Sequence, residues 1–268
     1  IHVYTNSIYE KIELPYHIDY IIHAAGIANP RMYSTNPVDV LMPNIMGTYQ
    51  LLELCASQKV ESFLLFSSGD IYGKIENICK ISEDTIGYTD TMDIHSCYGE
   101  SKRMAETMCK AFYVQKNVNA KVARIFHTYG PRMDVKNDPR VFSSFIADVL
   151  NNRDVEIKGS GLEKRSFCYI TDAISSYFKI MLDGENGQAY NVCNSSQYIT
   201  IKELAEIIAS LRKNINIKYQ KRDAKDTYIE SRVSGDCIPD NSKVKMLGAE
   251  FKVDCKEGFK NVLNYLYT

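Results

Sequence analysis

Apolar bursts alternate with helix-period stretches through the first half of the chain. Asp19-Tyr20-Ile21-Ile22-His23-Ala24-Ala25 is short and almost wholly apolar, the pattern of a strand buried on both faces. From Pro37 to Ser57 apolar residues recur at helical spacing, with Leu41, Ile45, Leu51, Leu52 and Leu54 as the inward positions. Ser62-Phe63-Leu64-Leu65-Phe66-Ser67 predicts a second strand and Tyr98 to Gln115 a second helix. Lys121-Val122-Ala123-Arg124-Ile125-Phe126 predicts a third strand. This β-α-β-α-β order predicts a doubly wound parallel sheet with helices on its faces, joined by right-handed crossovers.

Past Pro131 the rhythm breaks. A polar loop, Asp134 to Pro139, precedes a helix starting near Arg140, and short strands and helices then alternate irregularly to Thr268. The pattern predicts a first domain over residues 1–131 and a smaller α/β lobe over 132–268. The helix from Asp172 to Leu182 and the strand near Tyr190, within 168–193, are expected to return to the main sheet.

Composition narrows the function. The 268 residues are 45% hydrophobic and 24% charged, enough to bury a sizeable core. Thirty-two basic residues against 33 acidic ones leave a net charge of -1, which gives nucleic acid no footing. No apolar run nears the roughly 18 residues of a membrane span, and no signal-peptide pattern opens the chain. The eight cysteines are dispersed without a C-x-x-C pair. That argues against a metal site or a disulfide scaffold and favours a reducing, cytoplasmic setting.

Candidate chemistry gathers at predicted strand ends. Tyr98 and Lys102 lie four residues apart on one helix face. A phenol with a free pKa near ~10 is a poor base at neutral pH, and a neighbouring ammonium would lower it. Chance alone supplies about one or two such pairs in this composition, so the isolated spacing is equally that of a solvated helix start. Ser67-Ser68-Gly69-Asp70 follows directly on a predicted strand, at the sheet edge where open α/β folds bind ligands. His23-Ala24-Ala25-Gly26 ends another strand, where small residues let a ligand approach the backbone.

Taken in order, these segments resemble the extended short-chain dehydrogenase/reductase family, the NAD-dependent nucleotide-sugar epimerases, dehydratases and decarboxylases. The resemblance is carried by H-A-A-G at His23, N-I-M-G-T at Asn44, S-S-G-D-I-Y-G at Ser67 and Y-G-E-S-K at Tyr98. It continues through R-I-F-H-T-Y-G-P-R-M at Arg124, G-S-G-L-E-K-R-S-F-C-Y-I-T-D at Gly159 and R-V-S-G-D at Arg232. Among subfamilies, S-C-Y-G-E-S-K-R-M-A-E-T and R-S-F-C-Y look most like UDP-glucuronate decarboxylases.

The resemblance implies a Rossmann-like sheet, NAD as cofactor, a nucleotide-diphosphate sugar (a UDP-sugar foremost) as substrate, and a homodimer. It implies Tyr98 as catalytic acid/base, Lys102 as its partner and ribose contact, Ser68 on the reacting hydroxyl, and Asp70 beside them. His23, Ala24, Ala25, Gly26, Asn44 and Ser67 would line the cofactor. Tyr33, Ser68, His127, Arg165 and Arg232 would meet the substrate.

Three departures qualify this. No G-x-x-G-x-x-G turn occurs in the 268 residues, which open Ile1-His2-Val3. A first strand, its turn and helix, and a following strand are therefore expected to precede Ile1, and these residues alone to lack donors for the NAD pyrophosphate. His127 stands where the family carries Asn, placing a group that titrates near pH 6.5 against the substrate. Gly69-Asp70 replaces the Asp-Glu pair of dehydratases, which favours decarboxylation or 4-epimerisation over dehydration. A non-catalytic sugar-nucleotide or regulatory binding protein on the same fold is the alternative from another class.

Overall fold

The computed structural model describes residues 1–76, 79–138, 140–221 and 237–267. Strand β1 (Tyr20–His23) leads to helix α1 (Pro37–Met42), a π-helical turn (Pro43–Gly47) and α2 (Thr48–Gln58). Then come β2 (Ser62–Ser68), α3 (Cys97–Lys116) and β3 (Ala120–Ile125). The predicted Pro37–Ser57 helix is thus interrupted by a π turn, in which Asn44 is fully buried. Such turns are frequent at functional sites. Left-handed residues stop both long helices: Lys59 (φ 55°) after α2 and Asn117 (φ 55°) after α3.

Further along lie β4 (His127–Tyr129), α4 (Val141–Leu150), β5 (Val155–Lys158), β6 (Lys164–Tyr169), α5 (Ile170–Asp183) and β7 (Ala189–Val192). The chain continues with β8 (Tyr198–Thr200), α6 (Ile201–Ser210), β9 (Ile217–Gln220) and α7 (Cys255–Tyr267). A capping box between Thr200 and Glu203 starts α6.

The main sheet is parallel throughout, in the order β1-β2-β3-β7. Its last pairing, Val122 with Ala189 through Ile125 with Val192, is the expected return of the chain near Tyr190. Leu51, Leu52, Phe63, Leu65, Ala105 and Cys109 pack between one sheet face and α2 and α3. Leu64, Ala123, Tyr177, Ile180 and Val192 fill the other face under α5. A separate core of Phe142, Phe145, Phe167, Ile208 and Phe259 joins α4, α6 and α7 over the smaller strands, where β4 runs parallel to β6 and β6 antiparallel to β8.

Two burial expectations need correction. Strand β1 is buried at His23 but not along its length: it is the outer strand of the sheet among the described residues, and Tyr20 and Ile22 are 46% and 43% exposed. Leu41 and Ile45 are only half-buried, whereas Val40 is fully buried. No helix among the described residues is long and apolar enough to cross a membrane.

Candidate active site

The parallel register delivers the carboxyl ends of β1 and β2 to one edge, and α3 starts beside them. Ser68, the last residue of β2, sits close enough to the Tyr98 phenol to pull its pKa down, and its Oγ accepts from Asp70 N at 3.1 Å. Tyr98 is buried, stacked on the buried Tyr33 ring with centroids 5.2 Å apart and planes 10° from parallel. One turn on, Lys102 is 6% exposed; its ammonium donates to the Phe66 carbonyl at 2.7 Å and lies 5.8 Å from the Tyr98 ring centre. Ser68, Tyr98 and Lys102 therefore converge, and the start of α3 is not solvated.

The electrostatics differ from the simple expectation. Burial raises the Tyr98 phenol well above its ordinary pKa, Asp70 raises it further, and Ser68 and Arg140 partly offset both. Burial lowers Lys102 to about 8, against the opposing pull of Glu106. The ammonium is turned to a backbone carbonyl, so it does not make the resting phenol acidic.

On the other side of Lys102, polar atoms lack partners. His23 is buried with neither ring nitrogen hydrogen-bonded, and desolvation and then the Lys102 charge lower it to about 4. Asn44 Nδ2 donates to Val40 O (3.1 Å) and Ser101 Oγ (3.0 Å), while Asn44 Oδ1 is buried without a partner. A Cβ on Gly26 would stand 3.0 Å from that oxygen and 3.6 Å from Lys102 Nζ, so glycine alone keeps this space open. Ala24, Ala25 and Gly26 form an exposed loop above it.

His127 stands at the start of β4. Burial, then Arg165 and Arg140, lower its pKa to about 3, so the imidazole is neutral near pH 6.5 rather than a titrating group. Arg140, at the start of α4, acts on both His127 and Tyr98 and is itself held by Asp138 at 2.7 Å. Sequence reasoning passed over Arg140. Its position directly before an apolar helix after a polar loop was the available signal. Arg232 lies outside the described residues.

Ser67 is turned away from the opening. Its hydroxyl donates to Glu106 Oε1 at 2.5 Å, leaving only its backbone for a ligand. Glu106 in turn takes Arg124, whose Nε reaches both carboxylate oxygens at 3.2 Å and whose Nη2 reaches Oε2 at 2.8 Å. Glu106 and Arg124 were not anticipated from sequence. A lone arginine within an apolar strand pattern was the clue, since a buried charge requires a partner.

A parallel sheet whose carboxyl edge joins a serine to a helical Tyr-x-x-x-Lys pair defines a nicotinamide-dependent enzyme of the short-chain dehydrogenase type. The chain belongs to the NAD dependent epimerase/dehydratase family, whose model matches residues 5–193. It is 35% identical over 243 residues to UDP-glucuronic acid decarboxylase 6 of Arabidopsis thaliana, covering 90% of this chain and 67% of that one. To UDP-glucuronic acid decarboxylase 1 of Danio rerio it is 34% identical over 249 residues, 92% of this chain but 57% of the relative. A crystal structure of UDP-glucose 4-epimerase from Thermotoga maritima with UDP-glucose superposes with a TM-score of 0.80 at 25% identity, covering 93% of this chain and 77% of the other.

Proposed function

We propose that the protein decarboxylates a UDP-uronate through a 4-keto sugar, with NAD as its recycled oxidant. The observation that carries this reading is the convergence of Ser68 with buried Tyr98 and buried Lys102 at one sheet edge, in a chain 35% identical to UDP-glucuronic acid decarboxylases over 90% of its length.

The residues present suit the nicotinamide end of the cofactor. Unpartnered Asn44 Oδ1 and His23, with the glycine-kept space at Gly26, lie next to Lys102. His23 to Gly26, Asn44 and Lys102 would hold that end, with Ser67 contributing backbone. When bound, NAD supplies a hydride acceptor for the sugar C4 and later returns the hydride. Tyr98 takes the C4 hydroxyl proton, Ser68 aligns that hydroxyl, and Lys102 fixes the ribose and faces the phenol. Burial and then Asp70 hold the resting phenol protonated, so Tyr98 acts as the base only after its own proton has passed to solvent before the site closes.

A 4-ketone flanked by a C5 carboxylate is a β-keto acid. It loses carbon dioxide without a strong base, leaving electrons on the C4 oxygen, where the Tyr98 hydroxyl can donate a hydrogen bond. Elimination of water would need acid and base groups across C5 and C6. At Gly69 a Cβ would stand 2.9 Å from the Phe126 ring, so that position carries no second carboxylate. Arg140 offers the uronate a counter-charge near Tyr98, Tyr33 backs the phenol, and His127 and Arg165 meet the rest of the substrate. Arg232 is assigned to the diphosphate on its motif alone. The exposed Tyr49 on α2 and Met104 on α3 support a homodimer through these helices.

The test is mass spectrometry of products after incubation with NAD and, separately, UDP-glucuronate, UDP-glucose and dTDP-glucose. Loss of carbon dioxide from UDP-glucuronate alone is expected. A 4-epimer of UDP-glucose would favour the epimerase reading instead, and a 4-keto-6-deoxy product would contradict the role given to Gly69.

A further inference from the structure

Three successive residues of β2 are gripped by three residues of α3 spaced one helical turn apart. Tyr98 meets Ser68, Lys102 meets the Phe66 carbonyl, and Glu106 meets the Ser67 hydroxyl. Positions i, i+4 and i+8 share a helix face, so this ladder fixes both the height and the rotation of α3 against the strand end. Its last rung is the strongest. Glu106 is anchored by the forked Arg124 pair, with both side chains 13% exposed. Arg124 Nη1 also donates to the Tyr72 hydroxyl (2.9 Å) and the Glu83 carbonyl (2.7 Å). Tyr72 donates on to Asn191 Oδ1 at 2.6 Å, and Asn191 N donates to Glu83 Oε1 at 2.7 Å. The network ties α3 to β2, β3 and β7 with charge-assisted bonds.

We infer that Glu106 is a positioning residue of the active site: clamped by Arg124 and Ser67, it sets the register that brings Tyr98 beside Ser68 and keeps a carboxylate one helical turn from Lys102 on the same helix face. The groups facing Lys102 are His23 from β1, Asn44 from the π turn, the Phe66 carbonyl from β2, and Tyr98 and Glu106 from its own helix. Of these only Glu106 is an anion. His23 is neutral above about pH 4, and the Tyr98 phenol is held protonated by burial. The inference concerns the same site as the proposed reaction and rests on that reading only for the use made of Lys102.

The experiment needs neither substrate nor cofactor, so its outcome separates from that of the decarboxylase assay. In the full chain labelled with 13C-lysine, the Lys102 Cε resonance is assigned by its absence in Lys102→Met and followed against pH. Wild type should titrate near 8. Glu106→Gln keeps the shape and removes the charge, and should lower the midpoint by roughly one pH unit. Glu106→Asp retains the charge but draws it back by one methylene, and should give a smaller downward shift; it carries the test where the Gln variant does not fold. Ser67→Ala, which removes one rung without touching the charge, should leave the midpoint in place. A role in packing alone would lower the melting temperature and not move the Lys102 midpoint. A folded Glu106 variant with the wild-type midpoint overturns the inference.

Discussion

The seam between β2 and α3 and the space beside the end of β1 flank the same lysine, yet they are built in opposite ways. At the seam the polar groups hold one another: Ser67 pairs with Glu106, Glu106 with Arg124, Lys102 with the Phe66 carbonyl, and Ser68 with Asp70 N. Beside β1, His23 reaches only the Pro43 backbone, too loosely for a formed hydrogen bond, and Asn44 Oδ1 has no partner. Buried polar groups without partners are costly, typically about 1–3 kcal/mol each. The contrast separates a seam closed by its own bonds from a space whose buried polar atoms are left open.

The seam should break hardest. Arg124→Ala leaves the Glu106 carboxylate buried and uncompensated, and should cost about 3–5 kcal/mol in chemical denaturation. A loss under ~1 kcal/mol would mean that the network is ornamental. Beside β1, the effect should depend on pH. His23 titrates at about 4 in the folded protein and near ~6.5 unfolded, so the unfolded chain binds more protons between these values. Wild-type stability should therefore fall as pH drops from 6.5 through 4, by on the order of 3 kcal/mol from this residue. His23→Leu should remove that part of the slope and leave the part due to His127, which is likewise lowered.

Lys102 joins the two regions, and its burial opposes folding. The folded protein releases its proton near 8, the unfolded chain near ~10.4. Lys102→Met should be more stable than wild type at pH 7 by up to about 3 kcal/mol, while losing activity. That advantage should shrink as pH rises from 8 towards 10.5, where the unfolded chain alone still holds the proton. Denaturation series at pH 7 and pH 10 check both size and sign. The smallest effect is expected at Gly26→Ala, where a Cβ meets Asn44 Oδ1 at 3.0 Å. It should cost about 1 kcal/mol and weaken cofactor binding more than stability.

Much of the seam was legible in the sequence, because an apolar run such as Ser62 to Ser67 and a helix-period stretch such as Tyr98 to Gln115 encode their own burial. The return of Ala189–Val192 to the main sheet was legible for the same reason. The π turn at Pro43–Gly47 was not, since its apolar spacing is still helical and only the backbone bonding changes. His127 was expected to titrate near neutrality. Its burial beside two arginines is a tertiary fact no local pattern contains.

The central claim is that Tyr98, stacked on Tyr33 between Ser68 and Lys102, moves the proton of the reacting sugar hydroxyl. Tyr98→Phe keeps the ring against Tyr33 and removes only the hydroxyl. With UDP-glucuronate and NAD, carbon dioxide release should fall by roughly 10²–10⁴-fold, while calorimetry shows nucleotide-sugar affinity within about threefold of wild type, since no charge or ring packing is lost. Wild-type-like release from the phenylalanine variant would contradict the account.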